Sequence, residues 1–283
     1  SDTLARMLGE HLRAKFDKTL VVESKSGAGG LVAVQYLRQF EADGSYLLMA
    51  PNSAVSLLPL FMTKPPLDPA KELQAVVEAA AAPMAFTVHA SSGFKTLNEY
   101  FDAVRKNPKL GMIGVPSPVS MGALVIHQLG KQLGLPLEAV PFRGGSPLLN
   151  DLLGQQIPAS GSILPDYLEL HRAGKLRILA YAHAQRAKIA PEIPTMIEAG
   201  VKGYEAYTFN LILGPAGLPQ NVVDTVDQAS RKMMADPDMI KFLLDIAAVP
   251  TTDTTPERTA KFIRDEIAKW APVIRAAGVK IES

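Results

Sequence analysis

The sequence predicts an α/β protein built on a mainly parallel sheet. Short apolar runs alternate with amphipathic segments along most of the chain, the pattern of strands joined by crossover helices. Glycine turns stand between them, most clearly in Val140-Pro141-Phe142-Arg143-Gly144-Gly145-Ser146-Pro147-Leu148, which reads as strand end, turn and helix start. There Ser146 is expected at the N-cap and Pro147 at the first helical position. The 283 residues are 47% apolar and 20% charged, enough for one large domain or two.

Each element follows from local pattern. Leu4, Met7, Leu8 and Leu12 lie at helical spacing at the start of the chain. Residues 19–23 are expected as a strand, 24–30 as a glycine-rich loop, 31–40 as a helix and 45–50 as a strand. Residues 51–69 hold five prolines and are expected to be irregular. Residues 75–90 are apolar throughout and read as a buried strand interrupted near Pro83. Thr96-Leu97-Asn98-Glu99 is a capping box that opens a helix ending near Pro108.

Strands at 110–115, 137–141 and 157–162 then alternate with helices at 120–133 and 166–173, the latter ending at Gly174. A strand at 176–182, a loop-rich stretch at 185–203 and a strand at 206–214 follow. The tail is helical at 221–234, 238–246 and 256–277, with Ile263, Ile267, Trp270 and Ile274 on one face.

The composition excludes several functions. With 29 Lys+Arg against 28 Asp+Glu and no block of like charge, neither a nucleic-acid groove nor a polybasic membrane patch is expected. There are no cysteines, so no disulfide, thiol nucleophile or cysteine metal site. No run reaches the ~18 apolar residues that span a bilayer. There is no signal peptide, yet the chain starts inside a helical pattern, so the natural protein is expected to begin earlier. The sequence lacks a nucleophile elbow, a P-loop and a zinc-protease helix. Gly27-Ala28-Gly29-Gly30-Leu31-Val32 imitates a dinucleotide fingerprint but has Val32 where the third glycine is required. The five histidines are scattered, so no metal site, cofactor or catalytic residue is assigned.

What remains is a set of small polar residues and glycines at strand C-terminal ends, where open α/β sheets bind ligands. They are Ser24 and Ser26; Asn52 and Ser53; Ser117 and Ser120; Gly144, Gly145 and Ser146; Ser160 and Ser162. Helix starts offer free N–H groups to an anion, and Arg143 adds a cation suited to a carboxylate.

These residues resemble the Bug family of periplasmic solute-binding proteins, which serve tripartite tricarboxylate transporters. The resemblance runs through Asp2-Thr3-Leu4-Ala5-Arg6, Val22-Glu23 with Gly27-Ala28-Gly29-Gly30, and Asp43-Gly44-Ser45-Tyr46-Leu47-Leu48-Met49. It continues through Val140-Pro141-Phe142-Arg143-Gly144-Gly145, Asp151-Leu152-Leu153-Gly154, Ala173-Gly174-Lys175-Leu176-Arg177 and Pro191-Glu192-Ile193-Pro194-Thr195. Gly214-Pro215-Ala216-Gly217 and Glu266-Ile267-Ala268-Lys269-Trp270 complete the series.

The resemblance implies a type II periplasmic-binding-protein fold: two α/β lobes, residues 1–86 with 205–283 and residues 87–204, and a carboxylate ligand in the cleft between them. It implies a monomer in the periplasm, handing its ligand to the membrane subunits of the transporter. Residue by residue it implies ligand contacts from Asp2 and Thr3 in a first loop, Asn52 and Ser53, Ser120, Gly144 and Gly145, and Ser162. Ser117 and Arg143 join them from the loop reading. A ligand sensor of the same fold, or an enzyme acting on a carboxylate, are the competing readings.

This chain also departs from the family. The family's first strand and its glycine-rich loop are absent, Ala123 stands where histidine is usual, and Phe142 where tyrosine is usual. Gly161-Ser162 replaces a frequent Phe-Asp, and Pro116, Ser117 and Pro118 stiffen a loop that is usually glycine-rich. The loss of polar groups leads us to expect a ligand with an apolar or aromatic part, or no ligand at all.

Overall fold

A computed structural model describes residues 2–16, 19–25, 27–65, 68–187, 189–201, 205–245, 248–251 and 253–277. In chain order the elements are α1 (Asp2–Phe16), α2 (Leu31–Leu37), β1 (Leu48–Pro51), α3 (Leu58–Phe61), α4 (Pro69–Glu72) and β2 (Leu73–His89). Then come α5 (Leu97–Lys106), β3 (Met112–Val115), α6 (Met121–Leu133), β4 (Glu138–Pro141), α7 (Gly145–Leu153), β5 (Ala159–Ile163) and α8 (Leu168–Arg172). The chain closes with β6 (Leu176–Tyr181), β7 (Tyr207–Pro215), α9 (Gln220–Met234), α10 (Pro237–Asp245), β8 (Val249–Pro250) and α11 (Pro256–Ala277).

The chain divides into two compact units. The first comprises Ser1–Ala81, Phe209–Leu243 and Val249–Ser283; the second comprises Ala82–Thr208 and Leu244–Ala248. The chain thus passes from the first unit to the second within β2 and returns within β7.

β2 is 17 residues long and is not broken at Pro83. Ala80 and Ala81 pair with β8, whereas Met84 to Val88 pair with β5. Pro83 stands where β2 passes from its β8 partner to its β5 partner, and β2 also pairs with β7. In the second unit β2 lies antiparallel to both β5 and β6, and β3 lies parallel to both β4 and β5. The core of that unit gathers Ala85, Leu152, Leu164, Tyr167, Leu168 and Ile178. Thr96 Oγ1 caps α5 by accepting from Glu99 N at 3.1 Å, while Glu99 Oε2 reaches past the cap residue to accept from Lys95 N at 2.7 Å, a variant of the expected capping box.

Three sequence expectations fail in the first unit. The sheet is mixed rather than mainly parallel: β1 with β7 and β2 with β8 are antiparallel, and the parallel pairs described are β3 with β4 and with β5. Residues 19–23 form no strand, and Leu20 and Val21 stay exposed, because no described strand pairs with them. The stretch 51–69 is not wholly irregular: directly after β1, Ser53–Leu57 forms a π-helix that runs on into α3.

Asn52 anchors that turn. It is fully buried, its Oδ1 accepts from Phe209 N at 3.1 Å, and its Nδ2 donates to Glu266 Oε2 at 3.3 Å. The same Glu266 oxygen accepts from Trp270 Nε1 at 2.9 Å, which ties α11 to β1 and β7. Around this polar link pack Val34, Leu37, Val55, Leu211, Leu213 and Ile263. Removing one partner of a buried hydrogen-bond set leaves the others unsatisfied, at about 1–3 kcal/mol each. Asn52→Ala is therefore expected to lower the melting temperature markedly, and Trp270→Phe by less; thermal unfolding followed by circular dichroism checks both.

Candidate functional site

Within the second unit, β3, β4 and β5 run parallel and end at the same edge of the sheet. Each strand is followed there by a turn that opens a helix: Pro116 to Ser120 before α6, Phe142 to Gly144 before α7, and Leu164 to Tyr167 before α8. That edge is where an open α/β sheet can receive a ligand.

The three turns are in mutual contact. Phe142 N donates to Val115 O at 2.8 Å and Gly144 N to Pro116 O at 2.9 Å, so the β4 turn continues the ladder alongside the β3 turn. A Cβ on Gly122, in the first turn of α6, would lie 2.3 Å from Gly161 O on β5. A Cβ on Gly145, the first residue of α7, would lie 3.8 Å from Asp166 Oδ2 in the third turn.

Ser120 is the N-cap of α6. Its Oγ accepts from Ala123 N at 3.2 Å and donates to Ser117 O at 2.7 Å. The cap of α7 is not Ser146 but Gly144, whose φ of 112° and ψ of 176° suit glycine alone. The helix starts at Gly145, which puts Ser146 and Pro147 inside the first turn and in the open. α7 begins earlier than the sequence pattern suggests because the glycine pair completes the turn before Ser146 is reached. The N–H groups of Gly145 and Ser146 consequently have no acceptor among the described residues. Neither α6 nor α7 has an acidic residue in its first turn, so both ends keep their positive dipole character.

Of the residues singled out from sequence, Ser117, Ser120, Arg143, Gly144, Gly145 and Ser162 fall on these turns or on the strand beneath them. Arg143 is exposed and makes no ion pair among the described residues. Ser162 is buried on β5, and its Oγ donates to Asp166 Oδ2 at 2.7 Å. The ring of Phe142 turns to the face of β3, with Cε2 3.2 Å from the Cβ position of Gly114.

Asn52 and Ser53 belong to the first unit. Asn52 has an architectural role there, since both ends of its amide are engaged, while Ser53 is buried with no side-chain hydrogen bond among the described residues. Asp2 and Thr3 open α1 rather than lying in a loop, and their side chains lie outside the described residues.

Asp166 was not selected from the sequence. Burial among protein atoms raises its carboxyl above the usual carboxylate range, and the Ser162 hydroxyl partly offsets this. Asp166 is itself exposed to solvent, so it is not removed from water. The available signal is an acid four residues beyond Ser162, just past the C-terminal end of a strand. No group of three or more His, Cys, Asp or Glu among the described residues has metal-site geometry.

A family model described as the tripartite tricarboxylate transporter family receptor matches residues 4–279. The protein BugT of Bordetella pertussis is 25% identical over 283 residues, covering 100% of this chain and 86% of that protein. Among solved structures, the R. palustris protein Rpa4515 with adipate superposes with a TM-score of 0.93 at 26% identity, covering 100% of this chain and 94% of that one. The periplasmic binding protein BugD superposes with a TM-score of 0.91 at 25% identity, again covering 100% and 94%. The fold is that of the periplasmic binding proteins.

Gly122→Ala forces the start of α6 away from β5, because the obstructing atom is a backbone oxygen. Overpacking of this kind costs about 1–3 kcal/mol. Ser120→Ala removes a helix cap at about 1 kcal/mol. Chemical denaturation is expected to show both losses, the glycine substitution being at least as damaging as the serine one.

Proposed function

The chain belongs to the tripartite tricarboxylate transporter receptor family, and we propose that it is a periplasmic solute-binding protein that captures a small carboxylate. It delivers this ligand to the membrane subunits of such a transporter. The ligand carries an apolar or aromatic part beside its carboxylate.

The observation that supports this reading is the edge formed by the β3, β4 and β5 turns. Two helix starts with free N–H groups, a glycine pair that leaves the backbone bare and an unpaired Arg143 make a site for an anion. Among the described residues no histidine bonds to a serine hydroxyl at that edge: Ser120 Oγ donates to a backbone carbonyl and Ser162 Oγ to the Asp166 carboxylate. Binding without chemistry suits this set of groups. Arg143, Gly144, Gly145, Ser117, Ser120 and Ser162 are the ligand-facing set in this reading. The adipate named with the R. palustris relative fits the same ligand class.

The test is a thermal-shift titration of the chain against aliphatic mono-, di- and tricarboxylates, acidic amino acids and aromatic acids. A ligand present at 100 times its Kd stabilises the folded state by about 2.7 kcal/mol, which moves the midpoint by roughly 5–10 °C for a protein of this size. A saturable rise with acids that carry a longer aliphatic or aromatic part is expected. Response to citrate alone overturns the proposed apolar part, and silence across the panel from a folded protein overturns the carboxylate reading. Arg143→Ala is expected to weaken the responding acid and leave the unliganded midpoint nearly unchanged, because the side chain is exposed and unpaired.

A further inference from the structure

The first unit holds a cavity of about 300 Å³ that the carboxylate reading leaves unused. That is room for a small molecule. It forms where β2 meets the stretch between β8 and α11. Thr251 N donates to Ala79 O at 3.2 Å, and Glu78 N donates to Thr254 Oγ1 at 3.2 Å. The buried hydroxyls of Thr254 and Thr259 meet at 3.0 Å, which ties the first turn of α11 to β2. The cavity is lined by Glu78 from β2 and by Arg258, Lys261, Phe262 and Asp265 from α11.

The charges of this lining do not balance. Arg258 pairs with Asp253, and Lys261 Nζ pairs with Asp265 Oδ2 at 2.5 Å; all four side chains are exposed. Glu78 is half-buried, and it makes no ion pair among the described residues. Its Oε1 accepts from Thr251 Oγ1 at 3.3 Å, and its Oε2 accepts no hydrogen bond among those residues. Three acids against two bases leave one negative charge in excess, and it falls on the least exposed of the five groups. Glu78 is also the single acid of β2, a strand otherwise composed almost wholly of apolar residues. Burial raises its carboxyl above the usual carboxylate range; the Thr251 hydroxyl and Arg258 act against this, and Glu266 adds to it. A carboxyl so placed gains from any donor brought to it, most of all from a charged one. Beside it Phe262 supplies an apolar wall, with its ring held edge-on by Phe209 at 4.4 Å.

We infer that this cavity is a second binding site, for a small monocation that carries a primary ammonium group on a short apolar stem. The ammonium donates to Glu78, and the stem lies along Phe262. One positive charge matches the one in excess on the lining. An anion would face Glu78 unaided, because Arg258 and Lys261 are already engaged.

Titration of the isotope-labelled full chain with butylammonium, followed by amide NMR at constant ionic strength, tests this. Butanol, butanoate and γ-aminobutanoate serve as matched controls. The Glu78 and Thr251 amides report on the cavity, and the Gly144 and Gly145 amides on the carboxylate edge. Butylammonium is expected to move the first pair saturably, about tenfold or more tighter than butanol, and butanoate to leave it unmoved. Glu78→Gln keeps the size and an acceptor but loses the charge, so it brings butylammonium level with butanol. Lys261→Gln leaves the exposed rim folded and adds to the excess negative charge, so it tightens butylammonium severalfold.

Ratios are taken within each protein, and melting temperatures verify folding. The site is overturned if the Glu78 and Thr251 signals do not saturate, if butanol binds as well as butylammonium, or if Glu78→Gln leaves their ratio unchanged. Weaker binding in Lys261→Gln overturns the charge argument, and tighter binding of γ-aminobutanoate overturns the monocation. None of these outcomes touches the carboxylate reading, whose residues lie in the second unit and whose own amides report on it separately.

Discussion

The parallel pairing of β3 with both β4 and β5 is the constraint on which the candidate site depends. Parallel neighbours cannot be joined by a hairpin, so each connection must return across the sheet, here through α6 and α7. The three C-terminal ends then share one edge, and helices begin where strands end. A helix start cannot satisfy its own first N–H groups. The topology therefore delivers unpaired donors to one place before any side chain is considered. The bond from Gly144 N to Pro116 O, the contact of Gly122 with Gly161 and the approach of Asp166 to Gly145 hold the three turns in register.

The first unit shows the opposite fate for a similar local sequence. Asn52 and Ser53 also follow a strand, and on sequence alone they resemble Ser117 and Ser120. There, however, the chain enters a buried π-helix without an intervening open loop. A buried amide must find partners, and Asn52 finds them in Phe209 and Glu266. The amide closes a link between β1, β7 and α11 and has neither end of its polar group to spare. Small polar residues at strand ends mark places where donors and acceptors are needed; the packing above them decides whether the protein or a ligand answers.

Much of the fold was legible because local signals agreed with tertiary structure. The alternation of apolar runs and glycine turns placed the second unit's strands and helices within a few residues, and Thr96 caps α5 through Glu99 N as their spacing requires. The failures share a cause. The run at 19–23 has strand composition, but a strand needs a neighbour, and none of the described strands supplies one. Pro83 looked like a break because composition does not show that β2 changes partners there. Ser146 looked like a cap because its side chain can cap, whereas the backbone freedom of Gly144 starts the helix sooner. Of the site, the glycine pair, Arg143 and the serines were visible as loop chemistry. Asp166 was not, since an acid near a helix start is ordinary and only the fold brings it against Gly145.

A site made mainly of backbone N–H groups has a consequence for selectivity. Main-chain donors are fixed in direction and identical from residue to residue, so they register that a carboxylate is present but say little about the rest of the molecule. Discrimination must then come from the few side chains at the edge. Arg143 is exposed, which favours attraction over shape. The serine hydroxyls at Ser120 and Ser162 are already committed to protein acceptors. The exposed carboxyl of Asp166 accepts from Ser162 at one oxygen.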